Sequence, residues 1–574
     1  MITFHASRTP TALSPAQERL WFLQAGEPSS VAHNIGVALQ LSGPLCVESL
    51  ERALGEVVRR HEVLRTTFAK VDAAPVPVIT PFTGFTLPRH DLSALSGDAR
   101  GDELQRLAGE EAQHHFDLAA GPLFRACLLR IDTDEHVLLI NTHHILMDGW
   151  SLRVLFGEMS MLYAAYRDNR ESPLPELTLQ YGDFAEWQRG RLQKGALGSQ
   201  LAYWKRQLSD ATGLLELPTD HERPPVHLRR GASVKVAWPA VLLERLRTLG
   251  RRGGATLFMV LLSAVSLLLA KYSGSREVAV GSPAAGRTRR EFEGLIGRFV
   301  NTLVLRTTVD GELRIRELVH SARAVALSAY DHQDVPFERI VAELQPIESS
   351  HHALFQVLFL VDDGPAHVPE LPDVEVEGLE VDGATTPFDL MVRFEARDEL
   401  RAELTYDTAL FERTTIARMG THLGEVLTQM VANPDGTVAA VTLSTPDAQT
   451  DDRTLPAPID PQAATTPGTV APSTASARDQ REARVVDAWR AVLGLDDIDI
   501  HHNFFEIGGN SVLCYSVLAR LRDLRPDLEV VDLFRYPTVA TLAAFLSSAA
   551  PHEHTAVAQS RDRARARRAA RAAR

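Results

Sequence analysis

The segment that most restricts the fold runs from His136 to Tyr166. His136-Val137-Leu138-Leu139-Ile140 is an apolar run rich in branched residues and predicts a buried strand. His143-His144-Ile145-Leu146-Met147-Asp148-Gly149 follows, and then Leu152, Leu155, Phe156, Met159, Leu162, Tyr163 and Tyr166 recur at helical spacing. Ser151 is expected to cap that helix. The order strand, short loop, helix places two imidazoles at a strand exit, in a loop closed by an Asp-Gly pair. Rigid backbone holds one end, and the side chains stay reachable.

A histidine pair alone says little, because pairs recur at His114-His115, His351-His352 and His501-His502. The strand, the Asp-Gly closure and the helix set His143-His144 apart. A metal site would need third and fourth ligands beyond His143 and Asp148, and no cysteine cluster or HExxH pattern supplies them, so no metal is expected. A general base or a positioning imidazole suits a group that titrates near ~6.5. Asp148 either bonds its own backbone in a turn or forms a buried ion pair that shapes the loop. Both roles are structural.

The chain has 574 residues, more than one core organises and enough for three or four domains. Cys46, Cys127 and Cys514 are too few and too scattered for a disulfide framework or a zinc site. With no signal-peptide pattern at the N-terminus, a reducing cytoplasm is the expected location. The apolar stretch from Ala255 to Ala270 is short and carries Thr256, Ser263 and Ser266, so it predicts a buried core helix and no membrane association. A net charge of −14 argues against nucleic acid as a partner.

Along the chain, Ser14 and Gln17 predict a capping box with Pro15 at the first helical position. Leu50, Ala53, Leu54, Val57 and Val58 predict a helix over Val47 to Arg60, and Phe124 to Arg130 a strand. These alternating elements indicate a mixed α/β lobe over 1–180. A second α/β lobe is expected over 181–445, with a buried helix near 256–272, strands at 277–281 and 355–360, and a helix at 316–330. Residues 446–478 turn to Pro, Thr, Ala, Ser and Asp and predict a flexible linker. Helical periodicity returns over 479–549 and predicts a small bundle, with Thr538 capping its last helix. The 550–574 tail ends in an Arg/Ala run, expected to be solvated.

These residues also carry a resemblance. Residues 13–445 resemble a condensation domain of nonribosomal peptide synthetases, in the chloramphenicol acetyltransferase-like superfamily. The family's HHxxxDG matches His143 to Gly149, SxAQxRLW matches Ser14 to Trp21, and RHExLRTxF matches Arg60 to Phe68. YxDFAxW, GxFVNT and HQDVPFE match Tyr181 to Trp187, Gly297 to Thr302 and His332 to Glu338. A seventh segment departs: members usually read SRNPLFQV, whereas Ser350 to Val357 keeps only part of it. Residues 479–549 resemble a peptidyl carrier (thiolation) domain, with Asn503 to Ser511 as the attachment segment. Gly508 and Gly509 remove side chains beside the Ser511 hydroxyl, and a helix start there favours a phosphodiester. The alternative reading of Ser511 is a plain N-cap.

The resemblance implies an α/β fold of two chloramphenicol acetyltransferase-like lobes in a V-shaped pseudo-dimer, plus an all-α four-helix carrier bundle. It implies a secondary-metabolic, antibiotic-type acyltransferase that joins a donor acyl or peptidyl thioester to an acceptor amine, in a tunnel between the lobes. The site would comprise His143, His144, Asp148 and Gly149. His144 would orient the amine and take its proton, and Gly149 would leave room for the incoming arm. Arg65 would brace Asp148. Ser511 would bear 4′-phosphopantetheine, installed by a phosphopantetheinyl transferase. An upstream donor carrier protein is the implied partner. A separate adenylation enzyme would load the carrier, because 446–478 has no room for an adenylation domain. The first motif resembles those of domains that accept an L-configured donor. Ester formation and a non-catalytic carrier-docking scaffold are the alternatives. An epimerisation domain is disfavoured by domain order and by the missing EGHGRE-type segment. A heterocyclisation domain would have an aspartate pattern in place of the paired histidines.

Overall fold

The computed structural model describes residues 12–26, 30–72, 74–209, 215–224, 230–344, 354–362, 368–379, 386–444, 477–495, 497–504, 507, 513–525, 528 and 530–547. The chain divides into a unit ending at Val441 and a unit beginning at Thr442.

The strand predicted at His136–Ile140 spans Glu135–His143 and lies mid-sheet. The order is Glu375–Leu379, Asn34–Ser42, Glu135–His143, Phe124–Arg130 and Arg89–Asp91. Only the last pairing is parallel. The strand outruns the apolar run because Asn141, Thr142 and His143 still pair with Gly36, Ile35 and Asn34. His143 is therefore its last residue and His144 the first of the loop. Leu138 and Ile140 are buried on one face, Val137 and Leu139 on the other, as a period of two requires.

The helix Val47–Arg60 presents Leu50, Ala53, Leu54 and Val57 to the core shared with Leu155, Met159 and Leu162 of the helix Gly149–Arg167. That helix begins two residues before the expected cap. Asp148 is its N-cap and accepts from Ser151 N at 2.9 Å, so the cap expected at Ser151 falls to Asp148. A carboxylate outcompetes a hydroxyl here because it also suits the positive end of the helix.

The second sheet has six strands, in the order Gly231–Trp238, Leu400–Asp407, Leu390–Ala396, Val357–Asp362, Glu277–Ala284 and Asn301–Thr308. The helix Leu257–Ser273 is buried on nearly every side and capped by Thr256 and by left-handed Gly274. No single described helix is long and apolar enough to cross a membrane.

Two segments of the second half return to the first. Glu375–Leu379 forms the edge strand of the first sheet. Phe292, Leu295, Ile296 and Phe299 enter its core with Tyr181, Phe184 and Ala185. The distant motifs are thereby brought beside the His143 loop.

The second unit contains helices Ala477–Leu493, Leu513–Leu521, Val530–Arg535 and Val539–Ser547. Val530–Arg535 is a short helix of six residues. Val485, Trp489, Phe504, Val517, Leu521, Leu533 and Leu542 are buried, and the Trp489 and Phe504 rings lie 5.0 Å apart. Thr538 Oγ1 accepts from Thr541 N at 3.2 Å, the cap its position predicts. Ser511, Gly508, Gly509, most of the linker, the departing segment over 350–353 and the 550–574 tail lie outside the described residues.

Candidate active site

The loop from His144 to Asp148 is held from several sides. His144 N donates to His33 O at 2.7 Å, Leu146 N to His143 O at 2.9 Å, and Gln17 Nε2 to Ile145 O at 3.2 Å. Gln17 is itself fixed by the capping box with Ser14. Ile145, Leu146 and Met147 are fully buried. The three residues between the histidines and the aspartate are thus the loop's apolar anchor.

Asp148 is 3% exposed and every acceptor direction is used. Oδ1 takes Ser151 N and lies 2.8 Å from Ser151 Oγ; Oδ2 takes Phe299 N at 2.8 Å and Val300 N at 3.0 Å. Its ion-pair partner is Arg287, with Nη2 3.4 Å from Oδ1. Arg287 is wholly buried, donates to the Phe292 and Leu295 carbonyls and to Ser151 Oγ, and lies 3.9 Å over the Phe299 ring. Asp148 therefore joins the His143 loop to the Gly297–Val300 segment.

The bracing expected from Arg65 is corrected. Arg65 donates to the Val58, Thr80 and Arg59 carbonyls and ties the end of one helix to the neighbouring hairpin. The rest of its motif is structural too. Arg60 forms a two-pronged pair with Glu158, and His61 Nε2 lies 3.0 Å from the same carboxylate. His61 Nδ1 accepts from Ile296 N at 3.2 Å, so the proton on Nε2 donates to Glu158. Sequence reasoning missed Arg287 and Glu158. No spacing announces them; Glu158 is the lone acid of a mostly apolar helix, while Arg287 stands among the other charges of 287–293 and carries no local sign.

His143 is 1% exposed. Its Nδ1 accepts from Ile145 N at 3.1 Å, and its Nε2 is buried without a partner among the described residues. Burial, then the Arg298 cation, push its pKa down to about 3. His144 is half-buried. Its Nδ1 lies 2.8 Å from Arg298 Nη1 and 3.3 Å from Met147 O, and its Nε2 has no hydrogen-bond partner among the described residues. Burial first, then Arg298 and His143, hold its pKa well below the usual histidine range. Gly149 is exposed, and a Cβ there would meet nothing within 4 Å.

The depressed histidines predict acid lability. Below ~6.5 the unfolded state takes up protons that the folded state refuses. Stability is complete above pH ~6.5 and falls by about 1.4 kcal/mol per pH unit per histidine toward the folded pKa, about 3 for His143. Urea titrations between pH 7.5 and 4.5 are expected to show this slope, and His143→Gln to reduce it.

The remaining motifs complete the frame. Tyr181 Oη lies 2.7 Å from Ser14 Oγ and from Arg298 O. A Cβ at Gly297 would meet the Tyr181 ring at 1.9 Å, so that approach requires glycine. Asn301 Nδ2 donates to the Gln333 and Val335 carbonyls, both at 2.8 Å, and its Oδ1 accepts from Phe337 N. Segments that are distant in sequence thus form one hydrogen-bonded node around His144.

These contacts hold His143, His144 and Asp148 on one braced loop, tied to the Gly297–Val300 segment. The condensation domain family matches residues 7–452, and the phosphopantetheine attachment site family matches 483–546. The chain belongs to the condensation domain family, a family of acyltransferase-type enzymes of nonribosomal peptide synthesis, and its fold is the chloramphenicol acetyltransferase-like fold of those domains. Its second unit is a phosphopantetheine attachment domain, which takes 4′-phosphopantetheine covalently on a serine.

The chain is 42% identical over 440 residues to a linear gramicidin synthase of Brevibacillus parabrevis; the match covers 76% of this chain but 9% of that protein. It is 37% identical to a phosphinothricin tripeptide synthetase of Streptomyces viridochromogenes, over 76% of this chain and 41% of that one. The chain thus spans a small part of the curated relatives it matches. Among solved structures, the X-domain of teicoplanin biosynthesis, in complex with OxyB, superposes with a TM-score of 0.70 at 27% identity, over 77% of this chain and 98% of that one.

Proposed function

We propose that this chain is a condensation–carrier didomain that forms an amide between a donor acyl or peptidyl thioester and an acceptor amine. The observation that carries the reading is His144: its Nδ1 is engaged, its Nε2 has no hydrogen-bond partner among the described residues, and Gly149 at the end of the same loop leaves open space. An α-amino group titrates near ~7.7, so much of it is neutral at physiological pH and strong base catalysis is not required. Holding amine and carbonyl in attack geometry contributes several kcal/mol, of order 7 or more at best. The braced loop supplies that rigidity.

Ser511 is the proposed attachment residue. It precedes the helix Leu513–Leu521 by two positions in a segment matched as a phosphopantetheine attachment site, and its hydroxyl is the nucleophile such a phosphodiester needs. The bound group supplies a terminal thiol that carries the cargo as a thioester. Partners in this reading are an upstream donor carrier, a phosphopantetheinyl transferase and a separate adenylating activity. With a phosphopantetheinyl transferase and coenzyme A, intact mass is expected to rise by one phosphopantetheine for the wild type and not for Ser511→Ala. With both carriers loaded, a new amide supports the reading. An ester, or binding without turnover, would replace it with the corresponding alternative.

A further inference from the structure

Arg298 is the residue the sequence leaves unexplained. It occupies the free position of the Gly297–Thr302 motif, yet it reaches the reacting imidazole. Its Nη1 is 2.8 Å from His144 Nδ1 and its Nε is buried without a partner among the described residues. Among the described residues no carboxylate lies within ion-pair distance of its guanidinium. The acids whose fields reach it are Asp148 on the loop and Glu338 on the helix Phe337–Leu344; Tyr181 and the Arg19 cation also face it. Asp148 is already committed to Arg287, Ser151 and two backbone amides. A half-buried cation with a buried Nε and no carboxylate is costly, so its position calls for a purpose.

We infer that Arg298 is a positioning residue for the proposed condensation: its guanidinium donates to His144 Nδ1 and leaves the imidazole proton on Nε2, so that His144 meets the substrate as a hydrogen-bond donor. Two neighbours compete for Nδ1. The Met147 carbonyl at 3.3 Å needs a proton there, whereas Arg298 at 2.8 Å needs a lone pair. One nitrogen cannot satisfy both. A guanidinium has no acceptor, the shorter contact lies within the normal hydrogen-bond range, and the longer one lies beyond it. The charge-assisted bond therefore wins. An imidazolium would set N–H against N–H and place two cations in contact, with His143 close by. The neutral Nε2–H form is the one that fits.

The chemistry balances without a protein base. The amine lone pair forms the C–N bond as the carbonyl π pair moves to oxygen, and the oxyanion accepts from His144 Nε2–H. Collapse re-forms the carbonyl and breaks C–S, with that pair passing to sulfur. The proton lost by the ammonium goes to the thiolate, directly or through water. Reference values of ~7.7 for an α-amino group and ~8.5 for a thiol make that transfer downhill. The products are amide and free thiol, and the imidazole ends as it began. This inference rests on the proposed amide formation, while its spectroscopic test does not.

The test uses the full chain labelled with ¹⁵N-histidine, with His144→Gln assigning the His144 signals in two-bond ¹H–¹⁵N spectra. Wild type and Arg298→Lys, which keeps a donor without an acceptor, are expected to show a protonated Nε2 and a bare Nδ1. In Arg298→Met the pattern should reverse, because Nδ1–H is then free to turn to Met147 O. A protonated Nδ1 in the wild type, or no change in Arg298→Met, overturns the inference. If Arg298→Met does not fold, the wild-type and Arg298→Lys spectra decide. In single-turnover amide formation with both carriers loaded, Arg298→Met should lose about 10²-fold, the scale of one lost oxyanion donor, and Arg298→Lys should retain most of the rate. Equal rates for Arg298→Met and wild type overturn the positioning role. A wild type that forms no amide overturns the functional reading, and the spectra still decide the tautomer.

Discussion

His144→Ala is expected to lower single-turnover amide formation by at least 10²-fold, and by roughly 10⁴-fold if positioning and charge stabilisation are lost together, while the far-ultraviolet dichroism stays that of the wild type. The reason is local. The imidazole is half-buried and, among the described residues, bonds polar atoms only at Met147 O and Arg298 Nη1, so removing it opens no large core cavity. The backbone bond from His144 N to His33 O remains. The loop keeps its anchor in Ile145, Leu146 and Met147, and what is lost is the imidazole with its contact to Arg298. Unchanged turnover with both carriers loaded would remove His144 from the reaction.

The second large effect is one of stability. Asp148→Ala strands Arg287, whose side chain is 0% exposed, beside a cavity that cannot neutralise it. Breaking a buried pair in this way costs about 3–5 kcal/mol. Loss of the helix cap adds about 1 kcal/mol, and the Phe299 and Val300 amides lose their acceptor. Urea denaturation should show a loss of at least 3 kcal/mol, with condensation falling because the Gly297–Val300 segment is released from the His144 loop. Arg65→Ala is the contrast. It removes donors to three carbonyls, none of them bonded to Asp148, costs about 1–3 kcal/mol, and should leave the condensation rate within about threefold. If Arg65→Ala impairs turnover as strongly as Asp148→Ala, the pairing of Asp148 with Arg287 is not what shapes the site.

The two arginines show where the sequence was legible and where it was not. Strand, loop and helix around His143 follow from hydrophobic periodicity, which is local and survives in a single sequence. The Ser14–Gln17 box, the helix Val47–Arg60 and the Thr538 cap do as well, because each joins residues only a few positions apart. Ion-pair partners carry no such record. Arg65 lies in a matched motif and Arg287 in none, yet Arg287 reaches Asp148, because the segment after Gly286 folds back into the first lobe's core. The helix cap moved from Ser151 to Asp148 for a related reason. The helix extends to Gly149 once the carboxylate also receives the Phe299 and Val300 amides.

The sequence by itself therefore determined the classes of element, the family and the pair His143-His144. It did so because burial patterns and short-range capping are written into residue order. Only the tertiary structure decided how the histidines differ. His143 is enclosed, bonded back to its own loop and held neutral, while His144 is half-buried with Nδ1 engaged by an arginine from a segment more than 150 positions away. A tautomer depends on which donor or acceptor arrives at 2.8 Å. That is settled by the packing of Gly297 against the Tyr181 ring and of Asp148 against the Phe299 amide, contacts that exist only once the two halves of the domain have come together.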